Sequence, residues 1–299
     1  MEKFAIITDS SCELSKKQRD LYDIDYVYMG INFEDKELPA SLDWEFISPQ
    51  EFYGLIRKGV RIKTTQVKQE EYRQKFEKYL EQGMDILSLS CSSRLSSSYS
   101  SSLIVAKELM KKYPERKIVC IDSKNGCFSL GLLCLSAGRL RKEGKTLEEV
   151  SAYVNENLKR VNMLGTVESL TYLQRAGRVS LMTSFFGGIL QIKPIIVADV
   201  HGSNVSVETV KGRKNSFVRL ADMVKDIYEE HPDQIIQVEH CDCLEDAQKI
   251  VELIKERIPN LSCEINTPYV GQIVGATTGP GSIVIALYGK EVTYDGDKK

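Results

Sequence analysis

The chain has 299 residues, of which 42% are hydrophobic and 27% charged, with 40 basic against 42 acidic side chains and a net charge of −2. That is ordinary globular composition, enough for about two domains with cores of their own. Nothing in the bulk charge draws nucleic acid, and no basic tract marks a membrane-surface patch. The N-terminal apolar stretch is too short for a signal peptide, and no apolar run approaches the ~18 residues of a membrane span. The chain therefore reads as cytoplasmic, with no integral membrane segment, and its eight cysteines read as reduced thiols.

Phe4 to Thr8 reads as a strand, followed by the polar turn Asp9, Ser10, Ser11. Leu14 to Tyr22 is helix-like and Ile24 to Met29 strand-like. Ser48, Pro49 and Glu51 make a helix start, with a Ser cap, Pro at the first position and Glu completing a capping box; Gly59 is the stop. A second helix runs from about Gln69 to Gln82 and ends at Gly83. Asp85 to Ser90 is a buried strand, Tyr99 to Tyr113 a helix, Lys117 to Asp122 a strand, and Phe128 to Lys142 a helix. Thr146 and Glu149 open one more helix by the same capping logic. Strands spaced by helices argue for βαβ units in a parallel sheet, where ligands bind beyond the carboxyl ends of the strands. Polar turns follow three strands, at Asp9 to Ser11, Cys91 to Ser98, and Asp122 to Ser123, so a hydroxyl-lined site is expected at one edge.

From about Leu164 the rhythm changes. Lys193 to Asp199 and Asn204 to Val210 alternate like strands around His201, Gly202 and Ser203, a hairpin signal. Helices over about Asn215 to Glu230 and Leu244 to Ile258 flank the strand Gln234 to Glu239, and Ser282 to Tyr288 is a last strand. The fold class is α/β in two domains. Residues 1–162 form a Rossmann-like parallel sheet with flanking helices, and residues 163–299 an α+β domain with a mainly antiparallel sheet.

Four segments carry the chemistry: Thr8 to Cys12, Lys63 to Gln66, Ser92 to Tyr99, and Gly275 to Gly281. Each has a plainer reading. The Ser-rich loop can be a solvated turn and helix cap, Thr64 and Thr65 ordinary strand residues, and Gly279 to Gly281 a tight turn that places Thr277 and Thr278. Asp9 and Asp122 can be a metal pair or, more ordinarily, turn caps. Cys241 and Cys243 with His240 fall short of a metal ligand set. A serine hydrolase lacks its Gly-x-Ser-x-Gly elbow, and the three histidines, His201, His231 and His240, lie outside the hydroxyl segments. A nucleotide enzyme lacks Gly-x-Gly-x-x-Gly and a P-loop.

Together with Leu170 to Ser180, near the domain junction, and Leu190 to Ile196, these segments resemble the DegV family, specifically its fatty-acid-binding proteins. The family patterns are a TDS start, a K-T-S-Q-type segment, an S-S-x-L-S-G-T-Y-type loop, an L-x-x-G-G-R-I-S-type segment, an L-K-I-K-P-type segment and a closing H-T-G-P-G. The matches keep their order from residue 8 to residue 281. The resemblance implies a non-enzymatic carrier with no catalytic residue, no metal and no cofactor, whose partners are a long-chain fatty acid and a separate fatty acid kinase subunit. The kinase makes an acyl phosphate for phospholipid synthesis. It implies that Thr64 and Ser96 hold the carboxylate, with Thr65, Ser97 and Thr277 beside them. Asp9, Ser10 and Ser93 support the loops. Arg175 and Arg178 take a structural or partner-facing role near the pocket mouth, or are solvated charges. Phe185 to Leu190 lines the tail tunnel or forms a plain core helix.

The physics accommodates this. A carboxylate only accepts hydrogen bonds, and a Ser-rich turn leading into a helix offers hydroxyls, free N–H groups and a positive helix end. Tail burial contributes about 0.8 kcal/mol per methylene, before association costs of several kcal/mol. The chain departs from the pattern in three places. Thr277 stands where the closing motif has His, Ser97 where the loop has Gly, and Val67 and Lys68 where Pro and Ser follow the Gln. A DegV-like carrier of a different apolar acid is therefore the alternative.

Overall fold

The computed structural model describes residues 3–180 and 191–298. From the N-terminus, β1 (Phe4–Asp9) leads through α1 (Lys16–Tyr22) to β2 (Ile24–Val27). The hairpin β3 (Gly30–Phe33) and β4 (Lys36–Pro39), helix α2 (Pro49–Arg57) and the short β5 (Lys63–Thr65) come next. Then follow α3 (Gln69–Leu80), β6 (Asp85–Ser90), α4 (Ser98–Lys112), β7 (Ile118–Asp122), α5 (Cys127–Lys142) and α6 (Leu147–Asn157). The strands β2-β1-β6-β7, in that order, form a sheet in which every pair is parallel. β1 and β6 are buried along their whole length, as a sheet covered on both faces requires.

The strands β4-β3-β5 make a small antiparallel sheet that the sequence reading does not contain. Its strands are three or four residues long, too short to show an alternation. The helix starts follow their sequence signals closely. Thr146 and Glu149 cap α6 reciprocally, at 3.2 and 2.8 Å. At α2 the expected capping box is only half formed: the Ser48 hydroxyl accepts from the Glu51 amide at 3.2 Å, with Pro49 opening the helix, and the Glu51 side chain makes no return bond.

The second half runs β8 (Val161–Thr166), α7 (Leu170–Ala176), β9 (Val179–Ser180), β10 (Ile192–Ala198), β11 (Asn204–Lys211), α8 (Arg213–Ile227), β12 (Ile235–His240), α9 (Leu244–Arg257), β13 (Glu264–Asn266), α10 (Gln272–Thr278) and β14 (Ile283–Tyr288). Its seven-stranded sheet has the order β13-β12-β14-β8-β10-β11-β9. The inner pairs are antiparallel; only the edge strands β13 and β9 run parallel to their neighbours. Helices α8 and α9 cover one face through Phe217, Leu220, Ile250 and Ile254.

One helix joins the halves. α5 packs on β1 and β6 on one side and on β8 and β14 on the other. Its sequence is apolar almost all round, the pattern of a helix with no solvent face until its last turn. Ser136 Oγ and Tyr288 Oη pair at 2.6 Å, and Arg139 Nε meets Asp233 Oδ1 at 2.6 Å. At Gly131 a Cβ would lie 2.5 Å from the Cys12 carbonyl oxygen, so only glycine lets α5 seat this close to the chain leaving β1.

Candidate functional site

The turns after β1, β6 and β7 face β8, β10, β11 and α10 across a cavity of about 320 Å³. The turns are held by their own polar side chains. The Asp9 carboxylate accepts from the Ser11 amide (3.1 Å), the Ser11 hydroxyl (2.6 Å) and the Cys91 amide (2.7 Å), tying the ends of β1 and β6 together. Burial pushes the Asp9 carboxyl above its ordinary range, and these hydrogen bonds pull against it. Ser10 Oγ accepts from the Met29 amide at 3.0 Å. Ser93 bonds Asp122 through its amide (3.1 Å) and hydroxyl (2.5 Å). Burial would raise Asp122, but hydrogen bonds from Lys124 and Ser93 outweigh it and hold the carboxyl low.

Both aspartates are thus spent on capping turns. Among the described residues no group of three His, Cys, Asp or Glu side chains is arranged to hold a metal.

Thr64, Ser96, Ser97 and Thr277 all line the cavity, from β5, the Ser-rich loop and α10. The Thr64 hydroxyl has no partner among the described residues. Ser96 stands at the end of a relay. The Val67 amide donates to Ser98 Oγ at 3.1 Å, Ser98 Oγ lies 2.9 Å from Ser96 Oγ, and the Ser98 amide also donates to Ser96 Oγ at 3.2 Å. Either hydroxyl can donate in that pair; with Ser98 as the donor, Ser96 accepts twice and its own proton is free for the cavity. Ser97 caps α4 by position but makes no side-chain cap bond, leaving hydroxyl and helix end open. Thr277 precedes the Gly279 turn. It occupies the last turn of α10, and its hydroxyl donates to the Ile273 carbonyl at 3.2 Å, as Thr278 does to Val274 at 3.0 Å. The turn at Gly279 follows the threonines rather than containing them.

Thr65 does not line the cavity. Successive strand side chains point to opposite faces, and Thr65 Oγ1 lies against Gly30 of β3, buried and without a partner. Asp9 and Ser10 stand behind the wall, while Ser93 reaches its edge. Apolar side chains share the lining: Met29, Leu95, Met163, Val179, Ala198 and Ile273. Cys91, Lys124, Asn125 and Asn204 also line the cavity and are absent from the sequence reading. Position alone could have found the first three, since they follow the ends of β6 and β7. Phe185 to Leu190 lie outside the described residues.

A second cavity of about 220 Å³ adjoins the first and shares Thr64, Arg178 and Thr277 with it. Arg175 lines this one, together with Arg61 and Lys63. None of the histidines lines either cavity. His201 is 3.0 Å from Asp295, His231 stacks on Tyr288, and His240 packs on Tyr269. No serine of the loop has a histidine base.

The model of the DegV family, described as an uncharacterised protein family, matches residues 3–290. The chain belongs to the DegV family. A DegV domain-containing protein of Clostridium perfringens is 35% identical over 289 residues, 97% of this chain and 98% of the relative. A DegV lipid-binding protein from Thermotoga maritima, known from its crystal structure, is 25% identical, with a TM-score of 0.80 over 97% of this chain and all 100% of that one. A stearic acid-binding protein from Eubacterium ventriosum is 22% identical, with a TM-score of 0.83 over 95% and 98% of the two chains. The parallel sheet and the mixed seven-stranded sheet are those of the DegV fold. Among the described residues no helix is long and apolar enough to cross a membrane.

Proposed function

We propose that this DegV protein is a carrier for a long-chain fatty acid, with the carboxylate on Thr64 and Ser96, helped by Ser97 with Thr277 beside them, and the tail along the apolar part of the lining. In this reading residues 1–162 and 163–299 are two domains with the acid between them. The carrier presents the carboxylate to a separate fatty acid kinase, which forms the acyl phosphate in the cytoplasm, and has no turnover of its own. One observation carries the reading: hydroxyls from three distant segments converge on a cavity that apolar side chains also line. Two of those hydroxyls, on Thr64 and Ser96, have protons to donate, which is what an acceptor-only group requires. The lipid- and stearate-binding DegV relatives support the same chemistry.

Denaturing the purified protein and analysing what it releases by mass spectrometry tests the cargo; a near-stoichiometric long-chain acid is expected. The combined Thr64→Ala, Ser96→Ala variant is expected to bind that acid roughly a hundred-fold more weakly, at about 1.5 kcal/mol per charge-assisted hydrogen bond. Unchanged affinity would move the head group elsewhere. A different released amphiphile would keep the cavity and change the cargo.

A further inference from the structure

The larger cavity has a polar end that a fatty acid's carboxylate does not use. Ala198, Asn204 and Val179 stand opposite one another on β10, β11 and β9, and all three line the cavity. Asn204 is the polar member of that row. It is half-buried, and its side-chain amide has no partner among the described residues. The hairpin that carries it meets the turn after β7, where a Cβ on Gly202 would lie 2.8 Å from Lys124 Cα. The next residue, Asn125, lines the same cavity and is 3% exposed. Its amide nitrogen donates to the Ser123 carbonyl at 2.9 Å and to the Leu158 carbonyl at 3.2 Å, while its side-chain oxygen is buried with no partner. Two touching segments thus bring to one end of the cavity an amide with free donors and an acceptor with none.

The charges at this end are already answered. Lys124 pairs with Asp122 at 2.7 Å, and Arg94 with Asp297 at 3.0 Å. A second carboxylate would have to break one of these pairs. A hydroxyl suits the site better, because it donates and accepts at once: it can donate to Asn125 Oδ1 and accept from the Asn204 amide. A plain alkyl tail laid here shields both groups from water and pairs neither. The place along the tail follows from the sheet. β7 is one edge of the parallel sheet, and Thr64 lies beyond the other edge, in the small sheet that follows β2. The spacings between those edges add to roughly 14 Å, on the order of ten carbons of an extended chain. We infer that this end is a hydroxyl subsite and that the cargo is a long-chain acid hydroxylated near mid-chain. The inference rests on the acid-binding reading above.

Titration calorimetry on the protein stripped of bound lipid compares four probes: stearic acid, stearic acid hydroxylated on the tenth carbon, the oxo acid at the same carbon, and α-hydroxystearic acid. The mid-chain hydroxy acid is expected to bind about ten-fold more tightly than stearic acid, the worth of one or two neutral hydrogen bonds. The oxo acid, which only accepts, should gain less. The α-hydroxy isomer, with its hydroxyl beside the carboxylate, should gain nothing. Asn204→Leu is expected to bring the mid-chain hydroxy acid level with stearic acid or below it; Asn204→Ala reads the same ratio if the leucine variant does not fold. Equal or weaker binding of the mid-chain hydroxy acid by the parent protein overturns the subsite, since an apolar channel rejects a hydroxyl. So does a preference that survives both variants, or an equal gain by the α-hydroxy isomer, which would put the hydroxyl at the head group. Failure of all four acids to bind strikes the carrier reading instead.

Discussion

Asp9 marks the division of labour among the polar side chains here. It is fully buried, yet it faces no cavity; its two oxygens take three hydrogen bonds from Ser11 and Cys91. Removing the acceptor strands these donors in a dry interior. Asp9→Ala is expected to cost about 3 kcal/mol in urea unfolding, and Asp9→Asn less, because one acceptor oxygen remains. An alanine variant as stable as the parent would mean that the loop re-forms without its clamp. The same scale explains which site residues could be read from sequence. That Ser96 and Thr64 line the cavity was legible through the family resemblance; taken alone, the loop reads as a solvated turn and Thr64 as an ordinary strand residue. Thr65 was not separable from Thr64, because a three-residue strand gives no alternation to say which neighbour faces in.

At the scale of elements, α10 is the piece that sequence hid. Its residues include two threonines and a glycine, all poor helix formers, and it spans only seven residues. Tertiary anchors hold it instead. Tyr53 Oη donates to the Val270 carbonyl at 2.6 Å, and the Gly271 amide donates to Glu13 Oε2 at 2.9 Å. At Gly275 a Cβ would lie 2.5 Å from Tyr53 Oη, so this helix sits directly on the ring. Tyr53→Phe removes one anchor and no volume of consequence. It is expected to lower stability by about 1 kcal/mol and to speed hydrogen exchange over residues 273–278 more than elsewhere. Uniform exchange across the chain would show that α10 is held by packing alone. The long strands and amphipathic helices, by contrast, carried their caps and periods in plain view, as the Thr146 and Glu149 capping box shows.

Across the whole molecule, Glu13 and Glu239 meet between the two halves with no ion-pair partner among the described residues. Glu13 Oε1 and Glu239 Oε2 are buried without partners. Burial raises both carboxyls, and Glu239 pushes Glu13 up further; Glu239 itself is pushed up to about 8. Tyr53 and Cys127 stand near and contribute no positive charge. The fold therefore keeps protons that the unfolded chain gives up near the ordinary glutamate pKa, about 4.3. Stability from the pair is whole below that value and is lost as pH rises through the folded one. The urea midpoint should fall between about pH 5 and about pH 8, and Glu239→Gln should flatten the slope. A midpoint that rises over that range would contradict the pairing.

The helix with no solvent face has a consequence for synthesis. When α5 leaves the ribosome, β1 and β6 are already there to receive one side of it. The strand that closes the other side is β14, which ends at Tyr288, near the end of the chain. At about 5–20 residues per second, that side waits on the order of ten seconds, an apolar face held open in a crowded cell. The nascent chain therefore carries an uncovered apolar helix face during that interval, whatever it carries once it is complete.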